Sequence, residues 1–165
     1  MKKIISILLL ILTAPAAFTA GVETPVKPVL TLGVAKKAVE AAEKEAARRG
    51  ATVVIAVVDD GGHLILLERL DDTQVASVDV GIGKARTAAI FRRPSKVFED
   101  QVRDGRVAAL ALPGATPLQG GIPIIIDGKV AGAIGVSGNT PQEDEEIAIV
   151  GASAVNENET SGEKE

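Results

Sequence analysis

Ala51-Thr52-Val53-Val54-Ile55-Ala56-Val57-Val58-Asp59-Asp60-Gly61-Gly62-His63-Leu64-Ile65-Leu66-Leu67-Glu68-Arg69-Leu70 is the stretch whose reading decides the fold. An apolar run rich in β-branched residues, Ala51 to Val58, stops at two aspartates and two glycines. A second apolar run, His63 to Leu70, follows at once, and this pattern predicts a β-hairpin. The first run has almost no polar face, so its strand is expected inside a sheet with both faces covered.

Upstream, Thr31 to Arg49 places Ala35, Ala38, Val39, Ala42 and Ala46 at helical spacing with charges opposite. Thr31 is the expected N-cap and Gly50 the expected stop. Downstream, a helix is expected from about Gln74 to Phe91, ended by Arg92-Arg93-Pro94, and a short one after Ser95 to about Val102. Val107 to Gln119 is apolar but broken by Pro113, Gly114 and Pro117, and reads as an ordered loop. Ile122 to Ile126, the turn Asp127-Gly128-Lys129 and Val130 to Val136 predict a second hairpin. Thr140, Pro141 and Glu143 then spell N-cap, first helical position and capping-box acid for a last helix reaching Val155. The order helix, hairpin, two helices, hairpin, helix fits an α+β fold on an antiparallel sheet rather than a doubly wound parallel one.

The ends have a different composition. Lys2 and Lys3 precede an apolar run, Ile4 to Leu12, and then small residues, so 1–20 reads as a signal peptide too short to span a bilayer, the alternative being an uncut N-terminal membrane anchor. Residues 21–29 form a Pro-containing leader, 30–155 the domain, and 156–165 an acidic tail expected to be disordered. A periplasmic or secreted protein with no stable membrane insertion after cleavage follows. Losing Lys2 and Lys3 takes the formal charge from −4 to about −6, the wrong sign for nucleic acid. There is no cysteine, which excludes thiol catalysis, thiolate metal sites and disulfides.

His63 is the only histidine, so the only conventional imidazole base or metal ligand. Just after a turn, it is either a half-exposed residue without special role or a ligand to haem iron or another metal. Gln119-Gly120-Gly121-Ile122-Pro123 leads bare backbone into an apolar strand, allowing a ligand or a neighbouring subunit to approach, or marking a tight turn. Lys84 and Arg86 are candidate partners for acidic ligand groups, the alternative being a solvated helix face. Gly135-Val136-Ser137-Gly138-Asn139 lacks the last glycine of a nucleophile elbow, and Gly81-Ile82-Gly83 lies within a predicted helix rather than at a dinucleotide turn. The acids Glu143 to Glu146 are accounted for by the helix dipole.

Four segments together resemble the GlcG/HbpS family of haem-degrading domain proteins, also found as the C-terminal domain of PduO-type proteins. They are Val57 to Leu64 with Glu68 to Asp71, Gly83-Lys84-Ala85-Arg86-Thr87-Ala88-Ala89, Gly120 to Ile124, and Asp127 to Gly138, and Asp144 to Ala148 also fits. The resemblance implies a profilin-like α/β sandwich, a central antiparallel sheet with helices on both faces, assembled as a homo-oligomer from dimer to octamer. It implies haem or another tetrapyrrole as a bound small molecule, for sensing or degradation. His63 is then the expected axial ligand, and Lys84, Arg86, Gly120, Gly121 and Ile122 the expected ligand-binding residues. The alternatives are an accessory structural oligomer without catalysis and an enzyme acting on a small organic acid or corrinoid.

Overall fold

The computed structural model describes residues 24–156. The expected signal peptide and the tail beyond Asn156 lie outside the described residues. Helix α1 (Leu32–Arg49) precedes strands β1 (Val54–Asp59) and β2 (Leu64–Arg69). Helices α2 (Ser77–Phe91) and α3 (Lys96–Arg103), strands β3 (Gly121–Ile126) and β4 (Lys129–Ser137), and helix α4 (Pro141–Asn156) follow.

Local chemistry sets the element ends. Thr31 Oγ1 accepts from the Val34 N–H at 3.3 Å, and Gly50 closes α1 in the left-handed conformation. Thr140 Oγ1 accepts from the Glu143 N–H and donates to the Glu143 carboxylate, capping α4. Two expectations differ. The α2 helix proper begins at Ser77, after turns at 75–76. The segment read as a loop contains a 3₁₀ helix, Val107–Ala111, a short form that the apolar residues there tolerate before Pro113 ends it.

All pairings are antiparallel, in the order β2-β1-β4-β3. The apolar run from Val54 lies inside the sheet, and Val53 to Val58 are fully buried. Antiparallel partners share a face, so Ile55 and Val57 stand with Val136 and Ile134. On that face they form the main core with Ala35, Ala38, Val39, Ala42 and Ala46 of α1 and Ile147, Ala148 and Ala152 of α4. Each large aliphatic side chain buried there contributes about 1.5–3 kcal/mol.

The opposite face, with Val58 and Ala133, meets Ala85, Ala88 and Ala89 of α2. Small residues let α2 ride close to the sheet. A Cβ on Gly135 would lie 2.3 Å from the Gly81 carbonyl oxygen, and one on Gly81 3.1 Å from Val54. Helices therefore cover both faces. Between β1 and β2 the register shifts at Val57/Val58, because Val57 pairs with Leu66 and Val58 with Leu64, leaving Ile65 as a bulge two residues from His63.

Candidate functional site

The β1–β2 turn is built around Asp59. Its carboxylate accepts from the Gly61 N–H at 2.9 Å and the His63 N–H at 2.8 Å, while its own backbone N–H donates to the His63 carbonyl. Partial burial pushes the Asp59 carboxyl up, but these N–H groups and the imidazole outweigh it, and the net direction is down. Gly62 has φ +82°, and a Cβ there would strike Arg86 Cγ at 2.7 Å. The turn thus rests on α2, where Arg86 Nε donates to the Gly62 carbonyl at 3.2 Å.

This arrangement presents His63 to solvent with its side chain 82% exposed and Nδ1 3.4 Å from Asp59 Oδ1. A carboxylate beside Nδ1 favours the proton there, which orients the ring and leaves the Nε2 lone pair free. Exposed Leu64 follows directly, and Arg86 supplies a cation one helix surface away. His63 and Arg86 therefore belong to the same turn, Arg86 through its bond to the Gly62 carbonyl.

Lys84, Gly120, Gly121 and Ile122 fall elsewhere, and their expected role needs correction. Lys84 is only 4% exposed; its Nζ donates to Asp144 Oδ2 at 2.7 Å and to the Val136 carbonyl at 2.9 Å. It is neither a solvated residue nor free for a ligand's acids. Asp144 also accepts from the Asn139 N–H at 3.0 Å; burial pushes its carboxyl up, and Lys84 and the N–H donors counter this in part.

The bare backbone at Gly120 and Gly121 is approached by α2 of the same chain. A Cβ on Gly121 would lie 2.2 Å from the Lys84 carbonyl oxygen, and Gly120, at φ +121°, has room for none beside the Val136 carbonyl. The Gly121 N–H donates to Ser95 Oγ, which donates to the Leu118 carbonyl. Ile122 packs its side chain against the main core. These residues lock α2, α4 and β3 together.

Sheet order separates the two groups as well. His63 leads into β2 and Gly121 opens β3, the opposite edges, so about 14 Å of sheet lies between them in one chain. The residue missed from sequence is Asp144, Lys84's partner. A signal existed: Asp144 shares a stripe with Ile147, Ala148 and Gly151, and Lys84 one with Ser77, Gly81 and Ala88, so an acid and a base each sit on a buried helix face.

The model of the haem degrading protein HbpS-like family matches residues 30–153. The chain belongs to that family. Among HbpS-like relatives, protein GlcG of Escherichia coli is 42% identical over 111 residues, which are 67% of this chain and 83% of GlcG. A double mutant of Streptomyces reticuli HbpS superposes with a TM-score of 0.73 at 32% identity, covering 86% of this chain and 96% of that one. The PduOC:heme complex shares the fold with a TM-score of 0.71 at 24% identity, over 78% of this chain and 96% of that one. The HbpS-like fold thus agrees with the antiparallel sandwich described above.

Proposed function

We propose that the mature protein is an exported, homo-oligomeric haem- or tetrapyrrole-binding protein, with His63 as the iron ligand. The observation that carries this reading is that the one imidazole of the chain is held open at a hairpin tip, its Nδ1 side facing a carboxylate. The residues fit the group. Haem needs as little as one protein donor, and a neutral imidazole is its commonest. Among the described residues no cluster of three or more His, Cys, Asp or Glu side chains would hold a bare metal ion. Leu64 offers apolar surface for a ring, beside a turn that Arg86 holds through the Gly62 carbonyl.

Haem, when bound, supplies the redox chemistry. This chain binds and orients: Asp59 sets the imidazole, and Arg86 buttresses the turn through Gly62. With no Tyr, Trp or Cys, it offers no such side chain for oxidation. Family membership supports a haem-related role. Edge strands β2 and β3, with exposed Leu64 and Ile125, support assembly of several copies.

Titration with hemin tests the reading. Wild type is expected to shift the Soret band, and His63→Ala to weaken binding at least tenfold with stability within about 0.5 kcal/mol, since the side chain is exposed. A wild-type spectrum equal to that of free hemin would overturn it.

A further inference from the structure

At the hairpin-turn end of the sheet a cleft of about 270 Å³ is lined by Lys27, Asp60, Arg92, Gly128, Lys129 and Val130. Three cations from three separate segments meet one carboxylate there. Lys27 pairs with Asp60, while among the described residues Lys129 Nζ donates only to the Val26 carbonyl at 2.6 Å. No described residue pairs with the Arg92 guanidinium. The cleft therefore carries two positive charges in excess of its own acid, and a counter-ion would relieve their repulsion.

Backbone geometry gives a second, independent indication. Arg92 ends α2 at φ +54°, a left-handed position that normally takes glycine. A large cationic residue is thus kept where the backbone disfavours it, the kind of cost found at binding sites. Opposite, Asp127 and Gly128 turn the chain at φ +49° and +70°, and nothing lies within 4 Å of a Cβ built on Gly128, so the turn backbone is open to the cleft.

We infer that this cleft is a binding site for a dianion carrying two carboxylates. Its volume, equal to about nine waters, is below that of pockets for drug-sized ligands and too small to enclose a tetrapyrrole ring. It admits a short free dicarboxylate or the two propionates of a haem whose ring lies outside. The propionate source rests on the haem reading above; the free dicarboxylate does not.

The test uses the full processed protein, with succinate, hemin and hemin dimethyl ester as probes. Arg92→Gly removes the guanidinium while easing the backbone, so it folds at least as well as wild type, and Lys129→Gln is an exposed neutral replacement. If the ligand is free, calorimetry shows succinate binding that added salt weakens and that each variant weakens at least tenfold. If propionates fill the cleft, each variant weakens hemin at least tenfold and leaves the dimethyl ester unchanged. Succinate that does not bind, with hemin unaffected by both variants, overturns the site, as does succinate binding equally to wild type and variants. A wild-type protein that leaves the hemin spectrum unchanged defeats the haem reading alone, because the succinate measurement still decides the cleft.

Discussion

Gly121 and Gly33 differ in what a methyl group would meet. At Gly121 a Cβ would enter the backbone of α2, 2.2 Å from the Lys84 carbonyl oxygen; at Gly33, in the first turn of α1, the nearest atom is Thr31 Oγ1 at 3.8 Å. Gly121→Ala is expected to cost about 3 kcal/mol or more, because neither backbone can yield without parting α2 from β3. Gly33→Ala is expected to add about 0.5 kcal/mol by restricting the unfolded chain. Urea denaturation of both variants checks the pair, and a tolerated Gly121→Ala would contradict the close approach. At the same scale, His63 was recognisable from sequence because it is unique. Its exposure depends on the Asp59 turn and the bulge at Ile65, the first of which the Asp-Asp-Gly-Gly motif already announces.

Between elements, the Lys84–Asp144 pair joins the middle of α2 to the start of α4 across the end of β4. Both side chains are buried, 5% and 2% exposed, so removing one strands the other charge. Lys84→Met is expected to lose about 3–5 kcal/mol, and the double variant Lys84→Met with Asp144→Leu to recover much of that loss. Chemical denaturation of the single and double variants measures the recovery. The pair also has a pH signature. Burial raises the Asp144 carboxyl above its ordinary 3.8, so the folded state keeps this proton to higher pH than the unfolded chain. Its contribution to stability therefore falls as pH rises from about 3.8 through the folded value. Asp144→Asn abolishes that titration. The advantage of wild type over the Asn variant is expected to shrink with rising pH across that window, and an advantage that grows instead would reverse the sign argued here.

For the whole molecule, the four-stranded sheet closes neither edge upon itself, and its edge strands carry exposed apolar side chains. Light scattering of the processed protein is expected to show a multimer, with or without hemin; a strict monomer would refute the assembly. Among the described residues no helix is long and apolar enough to cross a membrane. Fractionation with N-terminal sequencing is expected to recover the protein outside the cytoplasm, beginning between Ala16 and Gly21. A cytoplasmic chain that keeps Met1 would remove the export proposal.

Local patterns were enough to read the two hairpins, the interior position of β1, the caps at Thr31, Gly50 and Thr140, and the single imidazole. Strand periodicity, turn glycines and helix caps act over a few residues, so sequence by itself determines them. The same reach explains the recognisable family segments. Tertiary structure alone decided that Lys84 meets Asp144, 60 residues away, that Gly120 and Gly121 receive a helix of their own chain, and that His63 and the glycine strand stand at opposite sheet edges. It alone gathered Lys27, Arg92 and Lys129 around one cleft. The physical reason is that strand order and helix docking follow from competing long-range burial, in which a charged side chain on an apolar stripe goes inside only if the assembled fold brings it a partner.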